Sequence, residues 1–268
     1  MFKYRLVVMM AACLATGSAQ AARCGGDFNA FVSNISTEAA AAGVSQGVIA
    51  QALGGVQQDM GVLNFDRRQR GTFNKSFEQY VATRVGAGRI NGARAMLARH
   101  AALLSRIEQQ FGVPREILVA IWGLETDFGK GDMGKLPVFR VLATMAHDCR
   151  RTELFQGELL AALKIVQRGD LRLGDMIGAY AGEIGQTQFL PTPYVRFAVD
   201  FDGNGHKDLI HSVPDILAST ANFLASHGWQ RGAGWQPGSS NYAVIAEWNK
   251  ADVYDRTIAA MADQLASH

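Results

Sequence analysis

The chain has 268 residues, 48% hydrophobic and 19% charged. That balance allows one large folded domain or two small ones and excludes collagen-like, disordered and coiled-coil classes. Its 26 Lys and Arg residues stand against 24 Asp and Glu without a long basic run, so nucleic acid is not an expected partner.

The opening stretch, "MFKYRLVVMMAACLATGSAQAARCGG", reads as an export signal. Lys3 and Arg5 precede a mainly apolar run from Leu6 to Thr16 that is too short to span a bilayer comfortably, and Ala19-Gln20-Ala21 follows the small-x-small pattern of a cleavage site. Residues 1–21 are therefore expected to be removed as a signal peptide. Losing Lys3 and Arg5 with no acid brings the remaining charge to zero. The alternative is that "MAAC" serves as a lipobox with Cys13 as lipid anchor, and membrane attachment is expected only then. Met10 is a poor first residue for such a box, and the apolar run continues past Cys13. Export leaves Cys24 and Cys149, which an oxidising compartment would allow to pair. The loop closed would span 125 positions, worth at most roughly 4–5 kcal/mol in the chain-entropy picture. Two buried thiols are the other reading.

Beyond the signal the pattern is almost wholly helical, which makes the fold class all-α. Residues 27–42 and 45–53 form short helices around Gly43. Residues 72–85 carry Phe73, Phe77 and Tyr80 at helical spacing, a stripe read as core packing. Residues 90–110 predict one longer amphipathic helix with Met96, Leu97, Leu103, Leu104 and Ile107 on one side, and Gly112 as its C-cap. Pro114 suits the first turn of the next helix, which ends near Thr126, with Glu116 near its positive end. Helices follow at 137–147, 151–167, 213–227 and 250–266. Glycine and proline are dense over 178–194, and 232–240 reads as a loop. No run alternates as a strand does.

Within the helix that begins at Pro114, the run from Ile117 to Leu124 has no formal charge, and then comes Glu125. Desolvation disfavours a charged carboxylate, so this glutamate should hold its proton to higher pH, as a general acid must. A solvated helix-terminal Glu, or one paired to Arg, is the plainer alternative. Asp127 cannot share a sugar with Glu125 from one continuous helix, because positions two apart point about 200° apart. The local reading is a single-carboxylate site.

"VDFDGNGHKDLIHSVPD" is the second constellation. Asp200, Asp202 and Asn204 fall at positions 1, 3 and 5 of an EF-hand loop and Gly205 at the sharp turn. His206 falls where only a backbone carbonyl is used, and Asp208 at position 9. Position 12 is His211 rather than a bidentate Glu, and Asp215 could take its place. An Asx-rich turn without metal is the alternative. The six histidines, His100, His147, His206, His211, His227 and His268, include no HExxH pair, so no zinc site competes. "GAGRING" and "GEIGQTQ" follow no predicted strand and give no nucleotide site.

In combination and in this order, "AIWGLETDFG", "CRRTELFQGEL", "YAGEIGQTQFLPTPYVRFAVDFDGNGHKDL", "SVPDILASTANFLASHGW" and "EWNKADVY" resemble the membrane-bound lytic murein transglycosylase B family. The resemblance is dense over about 110–230 and returns at 247–254. It implies a lysozyme-like helical core, residues 111–230, preceded by a helical part at 22–110 and followed by a C-terminal helix, 231–268, returning to the core. It implies a periplasmic monomer acting on peptidoglycan glycan strands, with no cofactor in catalysis and a structural Ca2+. Glu125 matches the family's sole acid/base, which protonates the bridge between N-acetylmuramic acid and N-acetylglucosamine and then deprotonates the muramoyl C6 hydroxyl, giving a 1,6-anhydro end. Gly185, Gln188, Phe189 and Pro191 match its GxxQFxP stretch, with Gln188 toward sugar or acetamido groups. Tyr180 and Phe189 become groove-wall candidates. Arg150 and Arg151 become partners for lactyl or peptide carboxylates, and Asn222 and Phe223 lie near the groove. Trp248 offers a stacking face and Asn249 a polar contact. The metal set is Asp200, Asp202, Asn204, His206 and Asp215. The stretch from Trp229 to Trp248 is shorter than in larger members, so a separate small β subdomain is not expected. Two rivals remain: a hydrolytic muramidase using Asp127 or Glu183 as second carboxylate, which direct inversion would need about 6.5–9.5 Å away, and a non-catalytic, calcium-stabilised wall-binding protein.

Overall fold

The computed structural model describes residues 22–68 and 76–267. The signal-peptide reading of 1–21, the lipid-anchor alternative at Cys13 and the placement of Phe73 fall outside these residues. Thirteen α-helices make up nearly all the regular structure described. α1 (Phe28–Ala41) is capped by Asp27, whose side chain accepts from the Ala30 amide, and α2 (Gln46–Leu53) by Ser45. α3 (Met60–Arg68) lies in a stretch that carries no strong helical signal. Only Val62 and Leu63 of it are buried, and Asp59 holds its start by accepting from the Gly61 and Val62 amides.

α4 (Phe77–Arg84) opens with a capping box made by Ser76 and Gln79. The single helix expected over 90–110 is two: α5 (Ala87–Arg99) and α6 (Ala101–Phe111). The chain turns at His100, with φ −107° and ψ 20°, where the imidazole packs 6.0 Å from the Trp122 indole. No Gly or Pro marks that break, so tertiary packing rather than local propensity makes it. Gly112 ends α6 in the left-handed region, and Pro114 is the N-cap, one position outside α7 (Arg115–Thr126).

α7 is the axis of the molecule. Every residue from Ile117 to Leu124 is buried, enclosed by α5, α6, α11 (Val213–Ser226) and α13 (Asp252–Ala266). Each such aliphatic side chain contributes about 1.5–3 kcal/mol through burial. α8 (Val138–His147) and α9 (Thr152–Arg168) pack as a pair against α1 and α2, with α3 on α8. α10 (Pro191–Phe197) bridges α9 and α11, and α12 (Ser240–Trp248), capped by Ser239, leads into α13. The expected single C-terminal helix is thus a pair, and α12 follows directly on the Gly- and Pro-bearing loop that masks its start. The sequence showed no strand, and the structure has a minimal one: β1 (Leu136–Pro137) pairs antiparallel with β2 (Ile177–Gly178). Cys24 and Cys149 are bonded, tying the segment before α1 to the turn between α8 and α9. No described helix is long and apolar enough to cross a membrane.

Candidate active site

The last turn of α7 opens onto a cleft of about 460 Å³. Glu125 lies on its wall with Tyr180, Glu183, Gln188 and Phe189 from the loop after β2, Phe223 from α11, and Trp248, Asn249 and Lys250 from the α12–α13 junction. Two donors converge on one oxygen of Glu125. The Trp248 indole donates to Oε1 at 3.1 Å and the Tyr254 hydroxyl donates to the same atom at 2.8 Å. An indole N–H is donor only, so Oε1 is the accepting oxygen and Oε2 the one left free for a proton. Burial pushes the Glu125 carboxyl above the usual range. The Trp248 and Tyr254 bonds and the Arg84 guanidinium pull it back, and Glu183 adds to the rise. Burial and the Glu125 charge also push Tyr254 well up, so it remains a phenol.

Why α7 delivers Glu125 here follows from the residues around it. Gly123 accepts the Phe128 ring edge: a Cβ there would meet it at 2.8 Å. Asp127 and Phe128 both take positive φ, 50° and 61°, reversing the chain immediately after the helix. Non-glycine residues in that region are strained, and such strain gathers at functional sites. The reversal sends Asp127 outward to Arg89, 3.4 Å away, so it does not line the cleft. Thr126 donates to the Gln186 carbonyl at 2.5 Å, the Trp122 indole donates to the Gln186 side-chain oxygen at 2.8 Å, and the Gln186 amide donates to the Ile210 carbonyl at 2.7 Å. Gln186 therefore locks the catalytic helix to the wall loop and to the loop that follows it.

The wall residues play different parts. Gln188, at φ 55°, lines the cleft and donates its side-chain amide to the Gly185 carbonyl at 2.8 Å and the Met133 carbonyl at 3.4 Å. Phe189 and Phe223 are largely buried and meet Trp248 edge-on, with ring centroids 5.2 and 5.1 Å away. Tyr180 stands edge-on to Phe65 of α3 at 4.9 Å. Asn249 accepts from the Ala251 amide at 2.9 Å, in the turn between α12 and α13. Asn222 faces away from the cleft and donates to the Phe197 carbonyl.

Arg150 and Arg151 do not line the cleft either. Both grip Asp66 of α3, Arg150 at 2.8 Å. Burial works to raise the Asp66 carboxyl, but the two guanidiniums outweigh it and hold it below the usual range. They pin α3, and with it Phe65, beside Tyr180.

In the 200–215 loop, Asp200 accepts from the amides of Gly203, Asn204 and Gly205, and Asn204 accepts from that of His206. Asp208 instead turns to His211 and the amides of Ile210 and His211. Asp200, Asp202 and Asp215 bring carboxylate oxygens within 4.8 Å of one another. Asp215 is fully buried, and none of the ion pairs among the described residues reaches these three acids. Converging carboxylates without a cation fit a hard oxygen-seeking ion such as Ca2+.

A helical cleft with a buried glutamate at the end of its central helix is the arrangement of a lysozyme-like fold. Residues 27–238 match the Transglycosylase SLT domain family. The chain is 41% identical over 130 residues to the membrane-bound lytic murein transglycosylase B of Escherichia coli (strain K12); the match takes in 48% of this chain and 36% of that protein. Among solved structures, SltB3 from Pseudomonas aeruginosa in complex with NAG-NAM-pentapeptide superposes with a TM-score of 0.85 at 30% identity, covering 91% of this chain and 81% of that one. The same protein in complex with NAG-anhNAM-pentapeptide gives 0.84 at 30% identity, covering 90% and 80%. The Escherichia coli lytic transglycosylase Slt35 in complex with calcium shares the fold, with a TM-score of 0.78 at 23% identity over 94% and 99% of the two chains. The chain belongs to the SLT transglycosylase domain family.

Sequence reasoning missed three residues of this site. Tyr254 lay inside the quoted "EWNKADVY" but was assigned no role, although a Tyr six places after a groove Trp was a visible signal. Gln186 was passed over within a glycine-rich string. Arg84 gave no local signal at all.

Proposed function

We propose that this protein is a lytic transglycosylase of peptidoglycan, cleaving the β-1,4 bond between N-acetylmuramic acid and N-acetylglucosamine with Glu125 as its only acid/base. The observation that carries this reading is the clamp on Glu125 Oε1 by Trp248 and Tyr254. It leaves one oxygen to give a proton and holds two donors ready for the charge that forms when the proton is given. Oε2 protonates the bridging oxygen as the C1–O bond breaks. The carboxylate that remains, favoured by Trp248, Tyr254 and Arg84, takes the proton of the muramoyl C6 hydroxyl as that oxygen bonds to C1. Glu125 ends protonated again and no water is consumed. The NAG-anhNAM-pentapeptide held by the SltB3 relative is a sugar of the type this step would produce.

The hydrolytic alternative rests on one observation, Glu183 in the same cleft. Burial pushes its carboxyl up as well, against the bonds from its own amide and that of Ala181, and those bonds tie it to its own loop. Digestion of purified murein followed by mass spectrometry tests the two. Products one water lighter than the hydrolysed muropeptides are expected; reducing ends carrying oxygen-18 from labelled water would establish hydrolysis. If wild type and Glu125→Gln both bound murein and neither released products, only a binding role would remain.

The acids Asp200, Asp202 and Asp215, with Asn204 and the His206 carbonyl, are proposed to hold a structural Ca2+, supported by their convergence. Export to the periplasm fits the bonded Cys24–Cys149 pair.

A further inference from the structure

Glu183 is an acid that the proposed reaction does not use. It sits on a short hairpin that the fold holds firmly. Ile184 bridges to Gly178 on one side and to Phe189 on the other. Gly182, at φ 87°, lies where a Cβ would meet the Leu142 side chain at 2.5 Å, and Gly185, at φ 77°, where one would meet the Leu209 carbonyl at 2.3 Å. One carboxyl oxygen, Oε2, accepts from the Ala181 amide at 2.9 Å. Beyond its own amide and that of Ala181, no other described residue is bonded to the carboxyl, and the residue lines the cleft with Glu125. A carboxylate held by its own loop and lining a cleft is pre-organised to receive a donor.

We infer that Glu183 is a specificity-determining residue of this cleft, its Oε1 accepting an N–H or O–H of the bound N-acetylated sugar while Oε2 stays on Ala181. The inference rests on reading the cleft as a glycan site. The donors a glycan offers, acetamido N–H and hydroxyl, find few other acceptors on this wall: Glu247 at the rim is paired with Lys250, Gln188 is a neutral amide, and Phe189, Phe223 and Trp248 offer ring edges and faces. A second effect follows from position. Glu125 is faced by Arg84 and Tyr80 of α4, Tyr254 of α13 and Glu183 across the cleft. Glu183 itself is faced by Tyr180, and at the rim Glu247 and Lys250 pair with each other at 2.8 Å. Burial is the main reason that Glu125 holds its proton; of these neighbours Glu183 is the like charge that adds to it, and Arg84 the cation that opposes it.

Glu183→Gln tests this on the full chain with purified peptidoglycan. Gln can keep the Ala181 bond through its carbonyl and then presents an amide to the cleft. kcat/KM is expected to fall about ten- to a hundredfold, the worth of a charge-assisted hydrogen bond, with most of the change in KM. Removing the like charge lets Glu125 release its proton sooner, so the alkaline limb of the pH profile moves to lower pH. Glu183→Asp keeps the charge but withdraws it by one methylene; it should raise KM while leaving the limb in place, and it serves if the Gln variant melts early. Wild-type KM and an unmoved limb in either folded variant would reduce Glu183 to a loop brace and overturn the inference, with anhydro products still upholding the transglycosylase reading. A Glu183→Gln enzyme without turnover, together with oxygen-18 in wild-type products, would overturn both.

Discussion

The Tyr254 hydroxyl sits 2.8 Å from Oε1 of Glu125, donating from α13 to the last turn of α7. The bond favours the ionised carboxylate, so it opposes the burial that keeps Glu125 protonated. Tyr254→Phe should therefore leave the protein folded and move the alkaline limb of activity to higher pH. It should also lower kcat by roughly ten- to a hundredfold, because the carboxylate formed on proton transfer loses a donor. A pH–rate profile decides it, and a limb that moves to lower pH would show that burial is not what sets this acid.

Glu125→Gln preserves shape and both donors' partner oxygen but removes the transferable proton. Turnover should drop below a few per cent of wild type with the thermal midpoint retained. The assay is muropeptide release from purified murein; substantial residual release would assign the acid elsewhere.

Calcium should stabilise the protein without entering the chemistry. At a hundredfold excess over Kd, a ligand bound by the native state alone adds about 2.7 kcal/mol, a rise of several degrees in Tm for a chain of this size. Melts in calcium and in chelator should differ for the wild type and coincide for Asp200→Ala. Coincident wild-type melts would remove the ion from the loop.

Asp255 gives a pH prediction of opposite sign to that of most surface acids. It is 2% exposed and its Oδ1 has no partner. Burial and the nearby Asp252 push its carboxyl up to about 7, with Lys250 pulling the other way. The folded state thus binds this proton more tightly than the unfolded one. The contribution is fully present below about pH 4 and is lost as pH rises through about 7. Stability should decline across that window by up to several kcal/mol, and Asp255→Asn should flatten the decline and raise the midpoint at pH 8. Urea titrations of both proteins at pH 5 and 8 measure it; parallel behaviour would mean that water or a rotamer satisfies the acid.

α7 was legible because its signal is local: an uncharged run, a capping Gly112 before it and a carboxylate at its end. The same holds for the short helices around Gly43 and for the alternating acids of the 200–215 loop. What could not be read was set by partners distant in the chain. The break at His100 answers to Trp122, and Arg150 and Arg151 turn to Asp66 of a helix that sequence pattern does not announce. Tyr254 reaches Glu125 across 129 positions. Asn222 shows the reverse case: its motif lies beside the groove, but its side chain serves the α10–α11 contact.

The two donors that complete Glu125 arrive late in synthesis. The acid, the aromatic wall and the ion loop are all made before residue 238, where the family match ends, whereas Trp248 and Tyr254 follow it. A chain cut before them would lack the wall formed by Trp248, Asn249 and Lys250 and would hold an acid without the two donors that meet Oε1. The donor clamp on Glu125 therefore forms only once α12 and α13 have docked on α7.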